Sequence, residues 1–421
     1  MPARGTVALV DAYSSAHRLA PLFRERGYRC VHVRSTPVIP EVYAGSFVAG
    51  DFAAEVVHDG AFDDTVRQLR AQRPVALLAG IESGVELADE LSEALGLRTN
   101  GTALSAARRD KFRMAEAVRA AGLRAARQLL TADEDELRAW YEEMAREQGS
   151  AGRVVVKPVK SAGNDGVFFC DSPEEAGAAF RAIVGTRSAL SLENDAVLAQ
   201  EYLWGGEFYV NTVSLDGVHH VCDVWKTSHL HANGVRDLLD GAWLLERHGP
   251  VQDLLVRYAC GVLDALGIRN GPSHTELKLT PDGPCLIETG ARVCGGDLPN
   301  LVRRAVGESQ LEWTADAYTD PERFRSRAQT PYTVREFVSS QAVVAPRPGT
   351  LLGYPRLDEV KALESFHEVK MAVAPGERVH RTVNDFTIPL LINLAHPVQD
   401  VVLRDFGTVR YLDGEGFYDL A

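Results

Sequence analysis

The sequence predicts an α/β protein, α+β in parts, built as three units: a parallel-sheet N-terminal domain, a small α/β domain and a large antiparallel-sheet C-terminal domain. Three observations predict it. The N-terminal quarter alternates strand-like and helix-like segments, the pattern of a parallel sheet covered by helices. A shorter β/α stretch follows the glycine Gly122, and beyond Gly206 come longer alternating strands and a hairpin. The 421 residues exceed what one hydrophobic core holds. The expected divisions are residues 1–108, then 109–204 (a linker helix and the small domain), then 205–421, whose last part is a β-rich subdomain.

In chain order, Thr6–Asp11 reads as a strand, Ala16–Arg26 as a helix stopped by Gly27, and Cys30–Arg34 as the next strand. Phe62–Ala71 (helix), Val75–Ala79 (strand) and Val85–Leu95 (helix) repeat the pattern. Ligand sites of such a sheet lie at strand C-termini, here Asp11–Ser15 and Gly80–Gly84. No GxGxxG is present, which disfavours a dinucleotide site and a nicotinamide oxidoreductase. Asp110 caps a helix running to Ala121. The small domain takes helices Glu134–Glu147 and Pro173–Val184 and strands Val154–Pro158, Val167–Cys170 and Val197–Glu201. Strands Phe208–Leu215 and Val218–Lys226, helix Val251–Leu266, a hairpin and a helix Asn300–Tyr318 follow. After Arg335 the chain is β-rich, with a turn at Pro346–Gly349 and closing strands Pro389–Leu394 and Val401–Leu403.

Composition narrows the function. Apolar residues are 45% and charged residues 24%, as in soluble globular proteins. A net charge of −13 argues against a nucleic-acid-binding face, and no apolar run is long enough for a membrane span. The opening MPARGTVALVDAYSS turns polar too soon for a secretory leader. Six cysteines without CxxC spacing fit buried thiols in a reducing cytoplasm; Cys294, in the glycine-rich segment after Arg292, reads as a small packing residue, with a reactive thiol as the alternative.

Three segments carry chemistry. In HTELKLTPDGPCLIETGARVCGG, Glu276 and Glu288 lie symmetrically about Asp282. A hairpin with the loop Pro281–Gly283 would set them directly opposite, with Leu277, Leu279, Cys285 and Ile287 on the other, core side. Opposed like charges destabilise a sheet, and a divalent cation between them remedies that. Arg292 with Gly290, Gly295 and Gly296 suits a transferring phosphoryl group. An exposed acidic hairpin is the plain alternative. In VVVKPVKSAGNDGVFFC, a strand presents Lys157 just before the loop Ser161–Gly166, where Gly163 and Gly166 let backbone N–H groups approach an anion. In QEYLWGGEF, backbone groups after the strand could meet an adenine edge and Glu207 ribose hydroxyls; an interdomain linker is the alternative.

Taken in order, Asp110-Lys111, Lys157 with its glycine loop, Glu201 to Glu207, Glu276, and Glu288 with Arg292 resemble the ATP-grasp superfamily of carboxylate–amine ligases over the whole chain. They look most like its L-amino acid ligases, which make dipeptides and peptide antibiotics. The resemblance implies a Rossmann-like N-terminal domain, a small lid domain and a C-terminal metal and phosphate site. It implies ATP with Mg²⁺, or Mn²⁺ in its place. Lys111 and Lys157 would hold phosphates, under a lid that includes Ser161, Gly163 and Gly166. Glu201, Tyr202 and Leu203 would line the adenine site, and Glu207 would bind ribose. Lys226 would add a cationic phosphate contact. Glu276 and Glu288 would bind the metal, and Arg292 would stabilise an acyl phosphate, so that Lys157, Glu288 and Arg292 are the catalytic set. Glu82, Ser83 and Gly84, with Arg292, Gly295 and Gly296, would meet the substrates.

His274 is expected to support rather than catalyse, and His219, His220, His229 and His231 to be solvated or packed under the lid. Small carboxylate and amine substrates, a cytoplasmic setting and a homodimer follow from the same resemblance. Other readings are a ligase for a non-amino-acid carboxylate or a formate- or bicarbonate-type donor, and a non-catalytic nucleotide-binding module.

Overall fold

The computed structural model describes residues 3–148, 152–190 and 192–421. The N-terminal sheet is fully parallel, in the order Ala54–Val57, Arg29–Arg34, Thr6–Val10, Pro74–Ala79. Thr6–Val10 is buried at every position, as a central parallel strand with both faces covered must be. Its helices are Leu19–Glu25, Phe62–Gln72 and Val85–Ala94, the first preceded by a 3₁₀ turn at Ser14–Arg18. The edge strand Ala54–Val57 has no counterpart among the sequence-based expectations; it is four residues long and only partly buried.

The small domain carries an antiparallel sheet in the order Gln128–Thr131, Val197–Glu201, Val154–Pro158, Phe168–Cys170. Helices Glu134–Gln148 and Pro173–Ile183 cover it over a core of Leu137, Tyr141, Val154, Val156 and Ala176. Ser172 caps the second helix, with Pro173 in its first turn, where a missing N–H costs nothing.

The large domain is an eight-stranded antiparallel sheet, in the order Gly283–Gly290, Gly271–Thr280, Gly206–Leu215, Val218–Ala232, Val235–Leu244, Phe337–Ala342, Leu390–His396, Phe366–Met371. One face packs on helix Pro250–Ala265 and on helix Lys111–Ala120, through Phe208, Val210, Leu255, Leu263 and Leu277. Asp110 caps the latter helix by accepting from the Arg113 N–H at 2.9 Å.

Three expectations are corrected. The single helix Asn300–Tyr318 is two helices, Leu298–Val306 and Gln310–Thr319. Gly307 at φ 99° ends the first, and Ser309 with Glu312 forms a capping box that starts the second. Val401–Leu403 lies inside helix Gln399–Leu412, whose buried residues Val402, Phe406, Val409 and Leu412 follow the helical period. In the hairpin, a bulge between Glu276 and Leu277 shifts the register, so Leu277 faces Leu286 rather than Ile287. The extra residue reverses the facing of the neighbouring positions on that strand. Leu277 and Leu286 enter the core against helix Pro250–Ala265, while Cys285 packs with Ala126 and Leu203 and Ile287 lines a cavity.

His220 is buried, stacks on Trp313 with centroids 3.5 Å apart, and its Nδ1 lies 2.9 Å from the Ala328 carbonyl oxygen. Burial pushes its pKa down to about 4. The folded state therefore keeps the ring neutral, while the unfolded chain takes up a proton below its ordinary value of about 6.5. This contribution is fully present above about pH 6.5 and is lost as pH falls toward 4, by at most roughly 3 kcal/mol. Urea unfolding of wild type and His220→Phe at pH 7 and pH 5 checks it. The wild type is expected to lose more stability between the two; equal losses would refute the assignment.

Candidate active site

Two cavities meet above the start of the large sheet. The first lies between that sheet and the small domain, the second between the large sheet and the N-terminal domain. Alternation along the strands builds the floor of the first cavity: Glu207, Tyr209, Glu276 and Lys278 point up while Phe208, Val210 and Leu277 enter the core below.

Glu276 and Glu288 are paired across the hairpin, and both line both cavities. The exposed acidic hairpin is thereby excluded. Their charges are partly balanced by lysines: Lys111 Nζ donates to Glu288 Oε2 at 2.7 Å and to the Ser161 carbonyl at 2.9 Å. Lys157 sits buried at the end of its strand. Burial, then the Lys111 charge, lowers its pKa to about 8. Burial works to raise the Glu288 pKa, but Lys111 and then Lys157 outweigh it and hold it below the ordinary value.

Behind the pair, His274 Nε2 lies 3.0 Å from Glu276 Oε1 and His274 Nδ1 lies 2.7 Å from Asn211 Oδ1. Asn211 donates to Asp223, which also accepts from Trp225 Nε1 at 2.7 Å. A chain of buried hydrogen bonds thus orients the Glu276 carboxylate. Among the described residues there is no cluster of three or more metal-ligating side chains. Two opposed carboxylates lining both cavities still fit Mg²⁺, which takes one or two carboxylates and completes its shell with water and phosphate oxygens.

The first cavity is walled by Lys111, Lys157, Ser161, Gly163, Glu201, Tyr202, Leu203 and Glu207. Gly166 does not line it; at φ 69° it packs on Pro158 and turns the loop. Glu201 accepts from the Arg127 backbone N–H at 3.0 Å. Burial and the Glu276 charge push the Glu207 pKa up. The second cavity, about 530 Å³, is lined by Glu82, Arg292, Gly295 and Gly296 among others. Arg292 is ion-paired to Glu82 through Nε and Nη2 and donates from Nη1 to the Val293 carbonyl at 2.9 Å. Burial alone would raise the Glu82 carboxyl; Arg292, then Arg109, holds it down at about 2.

Besides Gly166, three residues expected at the site are placed elsewhere. Lys226 is exposed on the opposite face of the sheet, 5.5 Å over the Trp243 ring, because it pairs with Phe208, one residue out of phase with Glu207 and Tyr209. Ser83 donates to Asp11 at 2.5 Å, and Gly84 lies against the Val10 carbonyl, where a Cβ would come within 2.8 Å. Neither lines either of these two cavities.

Sequence reasoning missed Lys278, which is buried in the first cavity, 3.1 Å from Asp237 and 4.8 Å over the Tyr202 ring. It lies two residues after Glu276 on one strand, a signal that strand alternation offered. His229 is neither solvated nor lid-packed: it lines the first cavity, 3.5 Å from Glu207. Asp385, from the C-terminal subdomain, lines both cavities; burial, then Glu276, raises its pKa to about 6.

The lysine-lined cavity and its glycine loop open past two carboxylates onto a second cavity that holds a buried arginine. Comparison with known proteins gives the class. Residues 151–299 match the ATP-grasp domain. Dapdiamide A synthase of Enterobacter agglomerans is 32% identical over 98% of this chain and 97% of that enzyme. An L-arginine-specific L-amino acid ligase of Bacillus subtilis is 22% identical over 54% of this chain and 53% of its own. The crystal structure of an L-amino acid ligase from Bacillus licheniformis superposes with a TM-score of 0.75 at 17% identity, covering 100% of this chain and 99% of that one. The chain belongs to the ATP-grasp family of carboxylate–amine ligases.

Proposed function

We propose that this enzyme activates the carboxylate of one amino acid as an acyl phosphate and couples it to the amine of a second, forming a dipeptide with release of ADP and phosphate. One observation carries the reading: the two cavities share a single junction, formed by Glu276 and Glu288 with Arg292 in the adjoining wall. A phosphoryl group held there can reach a carboxylate from the second cavity. The same L-amino acid ligase and dapdiamide synthase relatives favour amino acids over other carboxylates.

Each residue has a task set by its position. Tyr202 and Leu203, with Glu201 beside them, hold the adenine end, and Glu207 the ribose. Lys111 and Lys157 meet the phosphates from below, and the loop Ser161–Gly166 covers them. Glu276 and Glu288 would hold Mg²⁺, or Mn²⁺ in its place, which would supply charge neutralisation to the phosphates. Arg292, fixed by Glu82, faces the negative charge of the transferring group. Phosphoryl transfer needs chiefly such positioning and charge stabilisation. The carboxylate oxygen bonds to the γ-phosphorus and ADP leaves. The amine nitrogen then bonds to the carbonyl carbon, phosphate leaves, and the nitrogen loses its proton.

The test is ADP or phosphate release with Mg-ATP against single and paired amino acids, with mass spectrometry of the products. Release that needs a pair and yields a new amide is the expected result; no release with any amino acid would overturn it. Lys157→Ala is expected to weaken ATP binding about 10–100-fold, the worth of a charged hydrogen bond of roughly 1.5–3 kcal/mol. Unchanged affinity in equilibrium binding would refute its role. A cytoplasmic homodimer is part of the same proposal, and light scattering at the mass of one chain would remove the dimer.

A further inference from the structure

The C-terminal subdomain reaches into the junction through one short turn, Asp385–Thr387. This turn is internally fixed. Thr387 Oγ1 donates to Asn384 Oδ1 at 3.1 Å and accepts from the Asn384 N–H at 3.1 Å, and Thr382 Oγ1 donates to the Thr387 carbonyl at 3.1 Å. It projects Phe386 against the glycine loop of the small domain. Gly163 stands at φ 65°, and a Cβ there would fall 2.9 Å from the Phe386 ring. Only glycine lets loop and ring meet so closely. Two hydrogen bonds flank the contact: the Asp385 N–H donates to the Gly163 carbonyl at 3.2 Å, and Asn164 Nδ2 to Asp385 Oδ1 at 3.3 Å.

Phe386 also belongs to an apolar cluster drawn from every part of the chain. Tyr13, Tyr43 and Ile81 come from the N-terminal domain, Ala162 and Leu190 from the small domain. The Tyr43 ring meets Phe386 edge-on with centroids 6.4 Å apart. Phe386, Tyr43, Ala162 and Gly163 all line the second cavity, and Ala162 and Gly163 line the first as well. The same contact thus closes the roof of the phosphate site and one wall of the substrate site.

We propose that Phe386 is a positioning residue that locks the glycine loop shut over the junction, so that the activated carboxylate meets the amine and not water. The inference rests on the ligase reading above. The reaction it suppresses is definite. A water oxygen bonds to the carbonyl carbon of the acyl phosphate, the carbon–oxygen bond to phosphate breaks, and carboxylate, inorganic phosphate and a proton are released. ATP is then spent without an amide, which is what exclusion of water at such a site prevents.

The readout is the ratio of ADP formed to amide formed, measured with Mg-ATP and pairs of L-amino acids. A mere loss of folded enzyme lowers both products together and leaves the ratio at one. Wild type is expected near one, and Phe386→Ala several-fold higher, with ADP release persisting when the amine partner is omitted. Should Phe386→Ala fail to fold, Phe386→Leu carries the test: it keeps apolar bulk, loses the ring's contacts with Gly163 and Tyr43, and is expected to raise the ratio to a smaller degree. A folded variant that forms ADP and amide at the wild-type ratio overturns the proposal. Wild type that forms ADP but no amide from any pair would instead overturn the ligase reading, and this inference with it.

Discussion

Glu288→Gln is expected to abolish turnover while leaving the fold in place. Glutamine keeps the shape of the side chain and the hairpin pairing with Glu276, so the local packing is preserved. It removes one of the two carboxylates proposed to hold the metal and the charge that Lys111 meets at 2.7 Å. Both losses fall where charge must be balanced during phosphoryl transfer, and a fall in kcat of about 10²–10³-fold or more is expected. Stability should change little, because the variant also removes repulsion between the opposed carboxylates. Circular dichroism and a thermal melt beside the ADP assay separate the two effects. Near-normal ADP production by a folded Glu288→Gln would contradict the metal assignment.

Arg292→Ala should damage both activity and stability, for separable reasons. The guanidinium is buried and ion-paired to Glu82, itself buried. Removing it leaves an uncompensated carboxylate, at a cost of about 3–5 kcal/mol. It also removes the fixed positive charge at the junction, expected to lower kcat by about 10²–10³-fold. Combining Arg292→Met with Glu82→Gln should recover much of the stability, since no charge is then stranded, but none of the activity. If the double variant recovered turnover together with stability, Arg292 would be structural and not part of the chemistry.

The features legible in the sequence are those set by short-range rules. Strand alternation about the Thr280–Gly283 turn sufficed to oppose Glu276 and Glu288, because their pairing survives the bulge beside Glu276. Asp110 at a helix start and Lys157 at a strand end needed only cap and strand patterns. The same rules failed where phase accumulates along a chain: Lys226 is one residue out of step with the site face, and Ile287 is reversed by the bulge. The apolar run Val401–Leu403, with its two β-branched valines, resembled a strand, and only tertiary packing of the face Val402–Leu412 makes it helical. Asp385 and Phe386 were not legible at all, since their partners in the glycine loop lie more than 200 residues away, as in the Asn164–Asp385 hydrogen bond. No local pattern encodes such a pairing.

The central claim is that a carboxylate is activated by phosphate at the junction of the two cavities. Oxygen-18 transfer tests it most directly. An amino acid labelled with oxygen-18 in its carboxylate would be incubated with Mg-ATP and its partner, and the released phosphate examined by mass spectrometry. An acyl phosphate intermediate predicts one labelled oxygen in inorganic phosphate for each amide formed, and none in ADP. Amide formed with unlabelled phosphate, or with label in AMP, would contradict the account.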